Sequence, residues 1–158
     1  MTLIAKKQNG FTVIELIIVI VVVGLLAAIV ISTYSGIRVK ERNSTRQRDI
    51  QVLQTRLEAF YSQNGYYPSL QDINSTSWRT KNMPNLNPSD MIDPSASIAN
   101  VSNAKLASKP GPGVFSYQVT DSNGNSCETK DTNCAKYTLT ATFEGTVDGR
   151  KSYVKQNF

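Results

Sequence analysis

The run from Phe11 to Ile31 constrains this chain more than any other stretch. It is apolar at nearly every position, and Glu15 is its one charged residue. A helix crosses the hydrocarbon core of a bilayer in about 20 apolar residues, and this run is long enough. A carboxylate inside such a segment is costly unless a partner or the interface receives it, which makes Glu15 a functional candidate. A short polar leader containing Lys6 and Lys7 precedes the run, and Gly10 stands at the junction. A charge inside an apolar helix just past a glycine suggests a cut, an assembly contact, or both.

These residues resemble the amino terminus of the type IV pilin family, which includes pilins, the pseudopilins of type II secretion and competence pilins. The resemblance rests on Lys6 and Lys7, then Gly10, Phe11, Thr12 and Glu15, and the apolar tail with Gly24. It covers the first third of the chain; beyond that the likeness is one of layout. It implies cleavage between Gly10 and Phe11 by a membrane-embedded aspartyl prepilin peptidase, with methylation of the new Phe11 amine. It also implies that Glu15 of an incoming subunit meets the Phe11 amine of its neighbour, with Thr12 beside them in the assembly contact. The implied partners are other pilin subunits, the peptidase, a pilus assembly platform and, before assembly, membrane lipid. No cofactor is implied. One departure is Ser32, which stands where many pilins carry proline. A proline costs about 3 kcal/mol in a helix interior, so its absence removes a strong breaker.

Two other readings of the amino terminus compete with this one. A secretory signal peptide would share the lysines and the apolar core, with a small-residue cut near Val30–Ser32, but its apolar region is shorter and carries no glutamate. An uncut signal anchor would keep the leader. The flanking charge also pulls the other way: Arg38, Lys40, Arg42, Arg46 and Arg48 follow the run, against two lysines before it. The positive-inside rule alone would hold the carboxyl side in the cytoplasm. The pilin resemblance implies the leader inside and the body outside.

The helix is predicted to continue to Gln63, because Ser32–Gln63 holds no proline and Gly36 is its only glycine. Ile50, Leu53, Leu57 and Phe60 fall at spacings of three and four and make one apolar stripe. Extended backward, the stripe meets Arg46 and Asn43 and fades. Burial is therefore expected from about Ile50 onward, with Arg38–Asp49 an exposed neck carrying Arg38–Glu41 and Arg46–Asp49 pairs at helical spacing. Asn64–Gly65 ends the helix, with Gly65 in the left-handed cap position. A continuous helix from Phe11 to Gln63 would be about 80 Å long, and half of it would have no core of its own.

The remainder reads as a small head. Ser69 followed by Asp72 has capping-box spacing for a short helix. Tyr66, Tyr67 and Trp78 are expected to fold back on the preceding helix. Residues from Asn74 to Gly113 read as loop, with one short helix near Ala96–Leu106. The period then switches to two. Val114–Thr120 and Lys136–Glu144 are strands, Asp148–Gly149 is a tight turn, and Arg150–Asn157 is a final strand. The fold class is α+β and pilin-like: a long N-terminal helix packed in its second half against a small antiparallel sheet. The expected segments are 1–10 leader, 11–31 transmembrane and assembly segment, 32–63 neck and head-packing half of the helix, and 64–158 head.

Composition excludes much chemistry. The chain has 158 residues and no histidine, so His-based catalysis and His-ligated metals are ruled out. No P-loop, dinucleotide fingerprint or paired-carboxylate motif is present, and the chain reads as a peptidase substrate rather than an enzyme. Without Lys6 and Lys7 the 17 basic residues fall to 15 against 12 acidic ones, a mild excess. Contact of the neck with DNA is permitted by its basic residues but supported by no organised patch. Cys127 and Cys134 lie in a polar loop, and an extracytoplasmic position favours a disulfide between them, worth on the order of 2.5 kcal/mol by chain entropy. Asp121–Asn125 looks faintly like a calcium loop, but Ser126 and Thr132 stand where glycine and glutamate belong, and no metal is assigned. Asn43, Asn74 and Asn100 fit the N-glycosylation pattern and read as polar filler. The expected function is a structural subunit of a type IV pilus filament, stored in the membrane and polymerised through its helix. A type II secretion pseudopilin or a minor competence pilin is the alternative.

Overall fold

The computed structural model describes residues 10–97, 101–129 and 133–157; the leader with Lys6 and Lys7 lies outside them, as does Asn100. The chain forms two compact units, Met1–Arg38 and Val39–Phe158. Helix α1, Val13–Asn64, contributes to both.

In the first unit, α1 is helical from Val13, and its backbone stays helical through Ser32. Its apolar side chains are exposed on every side, from Val13 and Ile14 to Leu26 and Ile29. By length and composition this part of α1 can cross a membrane, and among its described side chains, up to Ile29, none is buried within the protein. An all-round apolar helix has no polar face to turn to water, so its natural surroundings are lipid or other helices. At its end Arg38 donates to the Tyr34 hydroxyl at 2.7 Å and lies over that ring at 4.5 Å. The Arg38–Glu41 pair expected from helical spacing is thus replaced by an Arg38–Tyr34 contact one turn back.

The second unit is an α+β head. Its core side of α1 is the predicted stripe: Ile50, Leu53 and Leu57 are fully buried and Phe60 nearly so. Gly65 takes φ 77° just past the helix, where a left-handed residue ends it without strain. Helix α2, Leu70–Asn74, starts at Ser69, whose hydroxyl accepts from the Asp72 amide and donates to the Asp72 carboxylate. The folded-back aromatics are as expected. Tyr66 and Trp78 pack on Phe60, and Tyr67 stacks on Tyr61 at 4.5 Å.

The reading of Asn74–Gly113 as loop needs correction. Helix α3, Thr76–Asn82, lies there, capped by Ser75, whose side chain accepts from the Trp78 amide. Its seven residues carry no apolar period, so a pattern search passes over it; the serine cap and packing of Trp78 hold it. Two 3-10 turns follow, Pro88–Met91 and Val101–Asn103, the second within the stretch expected to be helical.

Strands β1 (Phe115–Asp121), β2 (Cys134–Val147) and β3 (Arg150–Gln156) form an antiparallel sheet in the order β1-β2-β3. Phe115, Tyr117 and Val119 of β1 and Tyr137, Leu139 and Ala141 of β2 are buried in the same core as the α1 stripe. Alternation placed these side chains on one face, as strand geometry requires. The β2–β3 hairpin closes on Asp148 and Gly149, both at positive φ (51° and 75°), the conformation tight hairpin turns demand. On the far side of β1, Ala107 pairs with Ser116 and so covers that sheet edge.

Candidate functional site

The first site is the start of α1. Gly10, Phe11 and Thr12 precede the helix and are exposed, Phe11 at 80%. Thr12 is the cap and Glu15 sits three residues on. The Thr12 amide donates to the Glu15 carboxylate at 2.8 Å, and the Thr12 hydroxyl donates to the same oxygen at 2.7 Å. The Glu15 amide donates back to the Thr12 hydroxyl at 3.3 Å. This is a capping box, which satisfies amides the helix itself leaves without acceptors. It also keeps the carboxylate at the positive end of the helix dipole. Of the residues singled out at the junction, Thr12 and Glu15 are therefore brought together, while Phe11 precedes them exposed.

The second site was missed by pattern reading. The stripe of α1 does not stop at Ile50. Asn43, Arg46 and Asp49 continue it, and all three are buried, Arg46 at 1% exposure. The expected exposed neck is thereby corrected for these residues. Arg46 makes a two-pronged contact with Asp93, Nε to Oδ2 at 2.7 Å and Nη2 to Oδ1 at 2.8 Å. It also donates to Glu144 at 2.8 Å, to Ser95 at 3.1 Å and to the Asn43 side-chain oxygen Oδ1 at 2.7 Å. Arg42 adds a fork onto Glu144, its Nε at 2.7 Å and its Nη2 on the second carboxylate oxygen. Asn43 exchanges two hydrogen bonds with the Glu144 backbone, at 3.1 and 3.0 Å, as a neighbouring strand would. The cluster clips α1 to the end of β2 and to the Asp93–Ser95 turn.

The electrostatics follow from these contacts. The Arg42 hydrogen bonds, helped by Arg46, hold the Glu144 carboxyl down at about 2. Burial alone raises the Asp93 carboxyl, but the donors of Arg46 and Ser95 outweigh it and hold Asp93 below the usual range. Burial likewise works against charge on Arg46, and its carboxylate partners more than restore it. Asp49 behaves oppositely. Burial raises its carboxyl despite Arg48, which donates to it at 3.0 and 2.8 Å. The Arg46–Asp49 pair expected from spacing is not formed, because Asp93 and Glu144 take the guanidinium.

The remaining candidates are placed as follows. Cys127 and Cys134 are both buried. Their carbonyls accept from Leu70 at 3.1 Å and Tyr67 at 2.8 Å, which ties the loop to the segment after α1. In the loop after β1, Asp121 Oδ1 accepts from the amides of Asn123 and Asn125, and Oδ2 from the Asn125 side chain. Those oxygens serve a turn, and no metal-binding group of three or more is found among the described residues. Of the glycosylation-pattern asparagines, Asn43 is buried in the cluster and Asn74 exchanges hydrogen bonds with the Leu106 backbone.

An α+β head led by a helix, and an exposed apolar helix with a capped carboxylate at its start, fit a pilin-like, membrane-anchored subunit. Comparison with known proteins agrees. Residues 5–31 match the prokaryotic N-terminal methylation motif. The chain is similar to the type II secretion system core protein G of Escherichia coli (strain K12), 35% identical over 63 residues, 40% of this chain and 43% of that protein. It is similar to the core protein G of Aeromonas hydrophila, 32% identical over 66 residues, 42% of this chain and 46% of that protein. It is also similar to the type IV major pilin protein PilA of Myxococcus xanthus (strain DK1622), 33% identical over 61 residues, 39% of this chain and 28% of that protein. The match thus spans less than half the length of these relatives. No solved structure matches it. The chain thus carries the prokaryotic N-terminal methylation motif at residues 5–31 and is similar, over its amino-terminal part, to type II secretion core protein G and to a type IV major pilin.

Proposed function

We propose that this chain is the structural subunit of a type IV pilus filament, held in the membrane by α1 and polymerised through it after the leader is cut between Gly10 and Phe11. The observation that carries this is the Thr12–Glu15 box at the head of a wholly exposed apolar helix. Cutting after Gly10 frees an amine on Phe11, one residue from the box, and the peptidase methylates it. In the membrane Thr12 supplies Glu15 with donors that lipid cannot. In the filament the Phe11 amine of a neighbouring copy replaces or joins those donors, and pairing relieves two charges at once. That contact sets the axial register, and the residues from Ile14 to Ile31 form the fibre's apolar interior. The head then lies outside the cytoplasm, where Cys127 and Cys134 form a disulfide that closes the loop between β1 and β2.

A second reading is a pseudopilin of type II secretion. It is favoured by the similarity to core protein G, which Escherichia coli, Aeromonas hydrophila and other organisms share. Both readings use the same anchor and the same contact, and they differ in where the polymer stands. Mass spectrometry of sheared surface filaments separates them. A main component beginning at methylated Phe11, with its two cysteines joined, is the expected result. Surface filaments lacking this chain, with a processed chain found in the envelope, would move the assignment to secretion. A chain still carrying its leader would sink both.

A further inference from the structure

The head carries a groove that neither site uses. It is an open cleft of about 600 Å³, walled by Tyr66, Gln71 and Asp72 on one side and by Trp78, Lys81 and Asn82 of α3 on the other. Ligand clefts are typically about 300–1,000 Å³, so its size is in range. Its two aromatics are fixed without being fully buried. Tyr66 stands edge-on to Phe60, ring centres 5.5 Å apart, and Trp78 tilts against the same ring at 5.3 Å. Each is partly buried with one face open, and Phe60 beneath them is buried. The polar groups are held as well. Asp72 accepts from the Ser69 hydroxyl at 2.9 Å, and the Asn82 side-chain amide donates to the Trp78 carbonyl at 2.9 Å.

The chemistry of this lining is selective. Asp72 and Lys81 are the groove's two charged residues and they cancel. A polyanion would gain from Lys81 and lose to Asp72. A wholly apolar ligand would cover the carboxylate, the ammonium and two amides without pairing them, which is costly. A ligand with apolar C–H faces and many hydroxyls meets every requirement: its faces lie on Trp78 and Tyr66, and its hydroxyls exchange hydrogen bonds with Asp72, Gln71, Lys81 and Asn82. We propose that this groove is a binding site for a neutral saccharide of one or two hexose units.

Trp78 is the chain's only tryptophan, so in the folded head its fluorescence reports on this groove. The test uses the full chain in phospholipid nanodiscs, free of sugar-based detergent. It is titrated with cellotetraose, maltotetraose and chitotetraose to about 10 mM, which covers the weak affinities expected of an open stacking site. At least one should shift the emission saturably and protect Trp78 from acrylamide quenching. The double variant Gln71→Ala/Lys81→Ala changes exposed side chains, and it should weaken that binding about tenfold, worth about 1.4 kcal/mol. A sulfated heparin tetrasaccharide should give no saturable response. No saturable response to any neutral tetrasaccharide would overturn the proposal. So would unchanged affinity in a folded double variant, or binding of the polyanion alone. Groove binding does not depend on filament assembly, so failure here leaves the filament reading untouched.

Discussion

Residues 13–29 and residues 43–60 belong to one helix and bury their side chains in opposite senses. The first stretch is almost purely apolar and wholly exposed, and its one carboxylate is served by a threonine three residues away. The second is rich in charge, yet it contains Arg46, one of the largest fully buried side chains in the protein. Hydropathy and burial are therefore decoupled along α1. In the first stretch the described apolar side chains are exposed, and their surface is available for lipid or for copies of itself. In the second, a sheet and a turn supply partners for carbon and charge alike. The contrast teaches that burial depends on what a segment can be matched with. An apolar face needs only area, whereas a buried guanidinium needs acceptors at fixed positions.

The largest expected effect tests the first stretch. Glu15→Ala should leave membrane insertion intact, because it removes a charge from an apolar run, but it should lower filament yield by about tenfold or more, equivalent to at least about 1.4 kcal/mol of lost contact. Filaments sheared from cells and quantified against the membrane-bound pool measure this. Normal yield would break the idea that Glu15 is an assembly residue.

In the second stretch, Arg46→Ala strands Asp93 and part of Glu144 without their donors and should cost about 3–5 kcal/mol of head stability. The double variant Arg46→Met/Asp93→Leu removes the buried charge pair and should recover most of that loss, since buried ion pairs are often replaceable by well-packed apolar groups. Denaturant unfolding monitored by Trp78 fluorescence checks both. A single variant as stable as the parent would show that the cluster is incidental.

The pH dependence comes next. Glu144 is held at about 2 and Asp93 also below its ordinary range. Depressed carboxyls contribute stability above their unfolded-state values, about 4, and lose it as pH falls toward the folded value. Head stability should therefore drop between about pH 4 and pH 2. Asp49, raised by burial, acts in the opposite sense, and its contribution falls above about pH 4, outside this window. Glu144→Gln should flatten the slope in that window. An unchanged slope would show that Glu144 is not coupled to folding.

The smallest effect returns to the helix start. Thr12→Ala removes the cap hydroxyl while leaving Glu15 in place, and should fray the first turn at a cost of about 1 kcal/mol. Amide exchange at Val13–Leu16 in nanodiscs is the measure, with Thr12→Ser restoring protection. Equal protection in the alanine variant would show that lipid, not the box, holds the turn.

Much of this was legible in the chain. Ile50, Leu53, Leu57 and Phe60 declared the core face of α1 by their spacing. Three strands and the Asp148–Gly149 turn were legible from period two and from two residues at ease with positive φ. Ser69 and Asp72 marked α2 because capping is local chemistry. Helix α3 was not legible, since a short helix with no apolar period is defined by its serine cap and by the packing of Trp78 on Phe60. The apolar run after Gly10 was legible because its composition and length are local properties.

Local grammar and hydrophobic period thus sufficed for the apolar helix, the strands and the Ile50–Phe60 part of the stripe, whereas the Thr12 cap on Glu15 emerged only from the structure. Tertiary structure alone decided the fate of Asn43, Arg46 and Asp49. Read in sequence, an arginine on a helix surface belongs to water. Arg46 is buried because Asp93 and Glu144, 47 and 98 residues further on, arrive at its guanidinium when the turn and β2 close on α1. No periodic rule encodes acceptors so distant, and a buried charge is stable only where the finished fold delivers them.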